Sequence, residues 1–94
     1  MENEQERNRR IEGVLVDIQD DIGYHFDYIS GKPDWIIIEY QHDKEEVGLP
    51  ASVFNVLISS MEKIGLRCIK IFVCKWNERT LEIVFREIVY GHGE

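Results

Sequence analysis

The spacing of apolar positions at the start of the chain predicts a helix. Five apolar residues stand at the i, i+3, i+4, i+7, i+11 positions of one helical face, namely Ile11, Val14, Leu15, Ile18 and Ile22. The stripe and the stop signal at Gly23 predict a helix over about residues 3–22. Gly13 lies inside the stripe and is a weak helix former. An alternative is a short helix that ends near Arg10, followed by a strand through residues 14–16.

The next segments are typical of strands and a second helix. Residues 24–29 alternate aromatic and polar side chains, residues 30–33 have turn chemistry, and residues 35–40 are rich in β-branched and aromatic residues. Residues 41–48 are polar and indicate a loop. A second apolar helical stripe begins near Pro50, a residue that fits the first helical position, and its members are Val53, Phe54, Leu57, Met61 and Ile64.

The last third of the chain predicts a hairpin. Gly65 fits the position after a helix end, and residues 66–74 then indicate a strand. A turn over residues 75–79 leads to a last strand over residues 80–90. Residues 91–94 are expected to form a short flexible tail.

This order, αββαββ, predicts an α+β fold of the two-layer sandwich type. We expect a four-stranded, mainly antiparallel sheet with both helices on one face, in a single domain over residues 1–94. A right-handed crossover through the second helix makes strands two and three parallel, and the last strand then fits between them in the order 1-2-4-3. The same arrangement is a ferredoxin-like unit whose first strand has moved to the end.

Side chains alternate between the two faces of a sheet, so each strand can be divided into two sets. The sets predicted to lie under the helices are Phe26 and Tyr28; Ile36, Ile38 and Tyr40; Ile69, Ile71 and Val73; and Leu81, Ile83 and Phe85. The opposite sets mix charged with apolar residues. They are His25 and Asp27; Trp35, Ile37 and Glu39; Cys68, Lys70, Phe72, Cys74 and Trp76; and Glu82, Val84 and Arg86.

The apolar members of the opposite face predict an interaction surface, since a charge-rimmed apolar patch has the composition of a binding site. These candidate binding residues are Trp35, Ile37, Phe72, Trp76 and Val84. The expected partner is another protein or a second copy in a homodimer, and an edge strand such as residues 66–74 is a further route to self-pairing. The competing interpretation is structural: Trp35 and Trp76 cap the sheet ends, and the N-terminal arm or the 41–49 loop shields Phe72.

Charge is distributed unevenly along the 94 residues, whose net charge is −7. Residues 12–46 hold ten acidic and two basic residues. An acidic half argues against direct nucleic-acid binding, which needs clustered Lys and Arg. It permits a basic partner, so a second hypothesis is an acidic inhibitor that imitates a phosphate backbone and occupies a basic nucleic-acid-binding protein. The acidic surface proposed for it consists of Asp17, Asp20, Asp21, Asp43, Glu45 and Glu46.

Two cysteines and the polar N-terminus indicate a cytoplasmic protein. Cys68 and Cys74 lie six residues apart in one predicted strand, about 20 Å at 3.3 Å per residue, which is too far for a disulfide. Unpaired thiols fit a reducing compartment. No apolar run approaches the roughly 20 residues of a membrane helix, so no membrane association is expected.

Catalytic chemistry has little support in the sequence. His25 and Asp27 stand two apart, which suits an acid–base or metal pair, but two ligands do not make a metal site. Cys68 and Cys74 lack the C-x-x-C spacing of zinc and redox sites. Neither a P-loop nor a nucleophile elbow is present. We therefore predict no metal, no cofactor and no enzymatic activity, and keep a small enzyme using His25, Asp27 or a free cysteine as a third hypothesis.

Overall fold

The structure is a computed structural model that describes residues 4–32, 35–42, 48–74 and 76–88. These form the elements α1 (Glu4–Ile22), β1 (Asp27–Lys32), β2 (Trp35–Gln41), α2 (Ala51–Lys63), β3 (Leu66–Val73) and β4 (Thr80–Glu87). The predicted α+β fold and its αββαββ order are confirmed. The expected tail from residue 91 lies outside the described residues.

The first helix is continuous, so the alternative of a short helix followed by a strand is wrong. Ile11, Leu15 and Ile18 are buried along one face of α1. The amide of Gly23 closes the last turn on the carbonyl of Gln19 at 2.9 Å, and its φ of 76° is the left-handed conformation that favours glycine. The buried stripe stabilises α1 enough to tolerate a glycine at position 13.

The second helix begins one residue later than predicted. Pro50 is the N-cap, with an extended backbone, and its carbonyl accepts the amide of Phe54 at 3.0 Å. Val53, Leu57 and Met61 are the buried stripe of α2. Gly65 follows the helix with a φ of 87°, as expected for the residue after a helix end.

The sheet has the order β1-β2-β4-β3, the order predicted from connectivity, and every neighbouring pair is antiparallel. The first strand runs over residues 27–32 rather than 24–29, because residues 23–26 form the connection from α1. Phe26 is nevertheless buried from that connection, at 3% exposure. Both helices pack on one face of the sheet, where the core joins α1, α2, β2 and β4.

A β-bulge in β3 changes the predicted division of that strand. Register shifts between Cys68 and Lys70, so the side-chain alternation breaks at Ile69. As a result Leu66 and Cys68 lie on the helix-facing side of the sheet, opposite Glu87 and Phe85 of β4. Cys68 packs against the core, which corrects its predicted place on the other face.

The outer part of β3 is also less covered than predicted. Ile71 and Val73 are on the helix-facing side, opposite Ile83 and Leu81, but they are 45% and 53% exposed. Ile69 at the bulge is 40% exposed. The predicted face is therefore correct for Ile71 and Val73 and is lost at the bulge for Ile69. The helices leave all three residues exposed, because β3 is the sheet edge and only its first residue, Leu66, is fully covered.

Candidate functional site

The face of the sheet opposite the helices, here the outer face, is organised in rows that cross the strands. One row consists of three carboxylates and an aromatic ring. Asp27 of β1 lies opposite Glu39 of β2, Glu39 lies opposite Glu82 of β4, and Glu82 lies opposite Phe72 of β3. The carboxylates are therefore cross-strand neighbours, a spacing at which like charges repel.

Glu39, in the middle of this row, has a raised pKa. Its half-buried position between two strands disfavours the charged form, and the charges of Glu82 and Asp27 add to that effect. Burial first, and the two neighbouring carboxylates second, raise the pKa of Glu39 above its usual value.

The next row is apolar and is covered by a lysine. Ile37 of β2 lies opposite Val84 of β4, and Val84 lies opposite Lys70 of β3. The Lys70 ammonium is 4.2 Å from the ring centroid of Trp35 and 5.7 Å from that of Phe72. Val84 lies between these strands and is fully buried, although neither described helix covers this face. The cation–π contacts thus hold two aromatic rings and an aliphatic stem on the outer face around Val84.

The third row is basic. Arg67 of β3 lies opposite Arg86 of β4, and both are exposed. Trp35 directly precedes Ile36, and Arg86 directly follows Phe85, in the pair Ile36–Phe85 at this end of the β2–β4 register. Arg67 is absent from the predicted outer face because a regular strand places it with Ile69 and Ile71. Arg67 and Lys70 are three residues apart and share the outer face because the register shifts between Cys68 and Lys70, and no sequence pattern marked this shift.

The predicted binding residues have different places in this surface. Trp35 and Phe72 lie on it at 40% and 37% exposure, and Ile37 is partly buried between them and the acidic row. Val84 lies beneath the exposed side chains and is fully buried, so it cannot contact a partner. Trp76 belongs to the β3–β4 turn and is 88% exposed. We call the outer-face set Trp35, Ile37, Lys70 and Phe72, in which Ile37 is partly buried and the other three are exposed, the aromatic cluster.

A second apolar surface, on the helix side, was missed by the sequence interpretation. A groove of about 280 Å³ opens between the start of α2, the end of β3 and the beginning of β4. Its lining residues are Leu49, Ala51, Phe54, Ile71, Leu81 and Ile83. The groove is a direct result of the incomplete cover over Ile71. No sequence pattern marks it, because Ile71 and Ile83 have the alternation of ordinary core residues.

The proposed acidic surface is only partly within the described residues. Asp17, Asp20 and Asp21 are exposed on α1. No basic residue occupies the last turn of this helix, so Asp20 and Asp21 lie at the end where the helix dipole disfavours negative charge. Asp43, Glu45 and Glu46 lie outside the described residues.

The candidate acid–base pair forms a short hydrogen-bonded chain. His25 Nε2 is 2.8 Å from Asp27 Oδ1, and His25 Nδ1 is 2.8 Å from Gln19 Oε1. The side chains of His25 and Asp27 are 63% and 51% exposed. Across the described residues, no three His, Cys, Asp or Glu side chains come together in a way that could hold a metal ion.

Both cysteines are free and partly buried. Burial raises the pKa of the Cys68 thiol, although a hydrogen bond with the backbone of Lys70 opposes the effect. A raised pKa lowers the thiolate fraction and therefore the reactivity. β3 and β1 are opposite edges of the sheet, so Cys68 is far from the His25–Asp27 pair.

Comparison of the chain with protein-family models, with curated proteins and with solved structures gives no match. Neither described helix has the length and apolar character needed to cross a membrane. The site must therefore be interpreted from its own geometry.

Proposed function

We propose that this chain is a small acidic protein-interaction domain without catalytic activity, and that it binds another protein or a second copy through the outer face of the sheet. The observation that carries the proposal is the aromatic cluster. Trp35 and Phe72 are large, exposed, and held on one face by a single lysine over a buried valine.

Such a cluster has the properties of an interaction anchor. Aromatic residues are enriched in the centres of protein interfaces, where they account for much of the binding energy. Side chains that are already ordered lose less entropy on binding. The charged rows on either side of the cluster supply a polar rim. Two thiols in the free state fit the cytoplasmic location that belongs to this proposal.

A second candidate function is that of an acidic inhibitor of a basic nucleic-acid-binding protein. The favouring observation is the uncompensated pair Asp20 and Asp21 in the last turn of α1, which costs helix stability through the dipole. Together with Asp17 they expose three carboxylates on the helix side. Binding through this surface should weaken steeply with salt, whereas binding through the aromatic cluster should depend on salt less, because apolar burial contributes to it.

The enzyme hypothesis has less support. His25 and Asp27 are hydrogen-bonded but largely exposed, and the nearest cysteine in sequence lies on another edge of the sheet. Burial reduces the reactivity of Cys68. A His25→Ala variant that loses a measured activity would revive this hypothesis.

The proposal is tested by native mass spectrometry of the protein captured gently from its source cells. Trp35→Ser and Phe72→Ser should each abolish association while circular dichroism stays native. Val56→Ser is a matched control, because Val56 of α2 is also 40% exposed but lies on the helix side. Ile71→Ser tests the groove. Association that survives both outer-face changes, or that depends on Ile71 alone, would contradict the proposal.

A further inference from the structure

The outer face differs from the rest of the chain in its charge. Its described strand side chains include three carboxylates, on Asp27, Glu39 and Glu82, and three bases, on Arg67, Lys70 and Arg86. The chain as a whole has a net charge of −7. The described charged side chains of the outer face therefore sum to zero, whereas the chain as a whole is strongly acidic.

The two signs are also separated along the strands. Glu82 and Arg86 are four residues apart on β4, which corresponds to about 13 Å in an extended strand. The acidic row is at one end, the basic row is at the other, and the aromatic cluster lies between them. A uniformly basic partner would be repelled by Arg67 and Arg86, and a uniformly acidic one by the carboxylates.

We propose that the occupant of the outer face is a second copy of this chain, related by a two-fold axis that lies between the two sheets and runs across the strands. The inference rests on the proposed function, since it names the partner of the same surface. This rotation reverses the strand direction, so the acidic row of each copy meets the basic row of the other. The central rows of Ile37, Val84 and Lys70 also meet, as in sheet-on-sheet packing. Each Lys70 then lies near Lys70 of the second copy, and the attraction between the two pairs of charged rows outweighs this single repulsion.

The rotation pairs specific side chains. Each strand lies over its own copy, so Arg86 faces Glu82 of the second copy, and the same contact occurs twice. Arg67 faces the ring of Phe72 of the second copy, which is a second cation–π contact. Complementary charge at both ends fixes the register of the two sheets.

The other in-plane two-fold axis, along the strands, is disfavoured by the same residues. It would place β4 over β2 and so bring Glu82 onto Glu39 of the second copy. Glu39 already lies between two carboxylates in its own chain. A further negative charge on this half-buried group would oppose association.

The size of the face sets the expected strength. Four strands about 4.8 Å apart give a face about 19 Å wide, and an eight-residue strand is about 26 Å long. The face is therefore roughly 500 Å², which is smaller than the roughly 800 Å² per partner of a standard interface. We therefore expect a dimer that dissociates on dilution, and sedimentation velocity over a wide concentration range is the suitable measurement.

The test is a charge swap in the full chain. Arg86→Glu and Glu82→Arg should each weaken dimerisation about tenfold or more, because each replaces two attractive contacts by two repulsive ones. The double variant R86E/E82R should recover the dimer, and an equimolar mixture of the two single variants should form a heterodimer. Arg9→Glu and Glu62→Arg make the same charge changes on exposed helix positions and should leave dimerisation unchanged.

The outcomes separate this inference from the function on which it rests. Glu82→Arg that strengthens the dimer would overturn the axis in favour of the one along the strands. A protein that is monomeric at all concentrations, yet binds another protein through Trp35 and Phe72, would overturn the inference and support the proposed function. Dimerisation insensitive to Trp35 and Phe72 would contradict both. If either single variant loses its native circular dichroism, Arg86→Gln and Glu82→Gln replace it, with a smaller weakening expected from each.

Discussion

Lys70 and Trp35 are on strands separated by β4, and the Lys70 ammonium lies 4.2 Å from the Trp35 ring centroid. The contact therefore spans the strand between them. Val84 of that strand is fully buried beneath the contact, on the face that α1 and α2 leave uncovered. The Lys70 side chain thus shields an apolar strand residue from water on the outer face, as the helices do on the other face.

This relationship predicts that the stem and the charge of Lys70 contribute separately. Lys70→Ala should cost about 1–2 kcal/mol of unfolding free energy, because it removes the cation–π contact and uncovers Val84. Lys70→Met keeps an apolar stem and should cost about half as much or less. In a Trp76→Phe background, which leaves Trp35 as the remaining tryptophan, the alanine variant should also shift emission to the red and increase quenching by acrylamide. Equal costs for both variants would contradict a covering role for the stem.

Because β3 is covered unevenly, the same substitution should lower the free energy of unfolding by different amounts at Ile71 and at its cross-strand partner Ile83. Ile71 and Ile83 lie opposite each other on the helix-facing side, but Ile71 is 45% exposed and Ile83 is fully buried. Ile83→Ala should cost about 2–5 kcal/mol, the range for a buried isoleucine. Ile71→Ala should cost about 1 kcal/mol. Urea unfolding of both variants measures this, and similar costs would mean that the groove is closed in solution.

These elements show where sequence patterns predict structure well. The apolar stripes predicted both helices because a helix buries one face and the spacing of that face is regular. The sheet order followed from chain connectivity and the handedness of crossovers, neither of which depends on individual side chains. Trp35, Ile37 and Val84 were placed on the correct face of the sheet because β2 and β4 keep a period of two, and Phe72 was placed correctly because the bulge of β3 comes before Lys70.

The sequence-based predictions fail where a local irregularity or a long-range contact determines the face or the burial of a side chain. The bulge at Ile69 is a one-residue change of register, and it moved Cys68 to the helix side and brought Arg67 to the outer face. The burial of Val84 depends on Lys70 reaching across a neighbouring strand, a contact that the order of residues does not encode. The exposure of Ile71 depends on how far α2 extends over the sheet edge.

A buried arginine predicts a structural role at the far end of the sheet. Arg7 of α1 is 5% exposed and donates to Glu87 of β4 at 3.3 Å. Burial alone would lower the pKa of Arg7, but hydrogen bonds with Tyr28 and Glu87 outweigh it and raise the pKa. Tyr28 in turn donates to Asn8 at 2.7 Å, so this network joins α1 to β1 and β4.

Loss of Arg7 should therefore loosen α1 from the sheet. Arg7→Ala should cost about 1–3 kcal/mol, from the lost hydrogen bonds and the lost packing of the stem. Arg7→Met, which retains an apolar chain, should cost less. Arg9→Ala is the control, because Arg9 is exposed two residues further along the same helix. Chemical denaturation measures all three, and an Arg7→Ala variant as stable as Arg9→Ala would show that the network contributes nothing.

The carboxylate row predicts a stability gain on removing one charge, with a defined dependence on pH. Burial and the charges of Glu82 and Asp27 raise the pKa of Glu39 in the folded state, so the folded chain binds this proton more tightly than the unfolded chain. The resulting loss of folding stability is absent below about pH 4.3, the pKa of a glutamate in an unfolded chain. It develops as the pH rises from there through the pKa of the folded state. Glu39→Gln removes it, and the variant should gain stability relative to wild type at pH 7 but not at about pH 3.5. The measurement is urea unfolding at both pH values and high dilution, with Glu62→Gln on the exposed side of α2 as the control; a gain that is equal at both pH values would show that charge is not its cause.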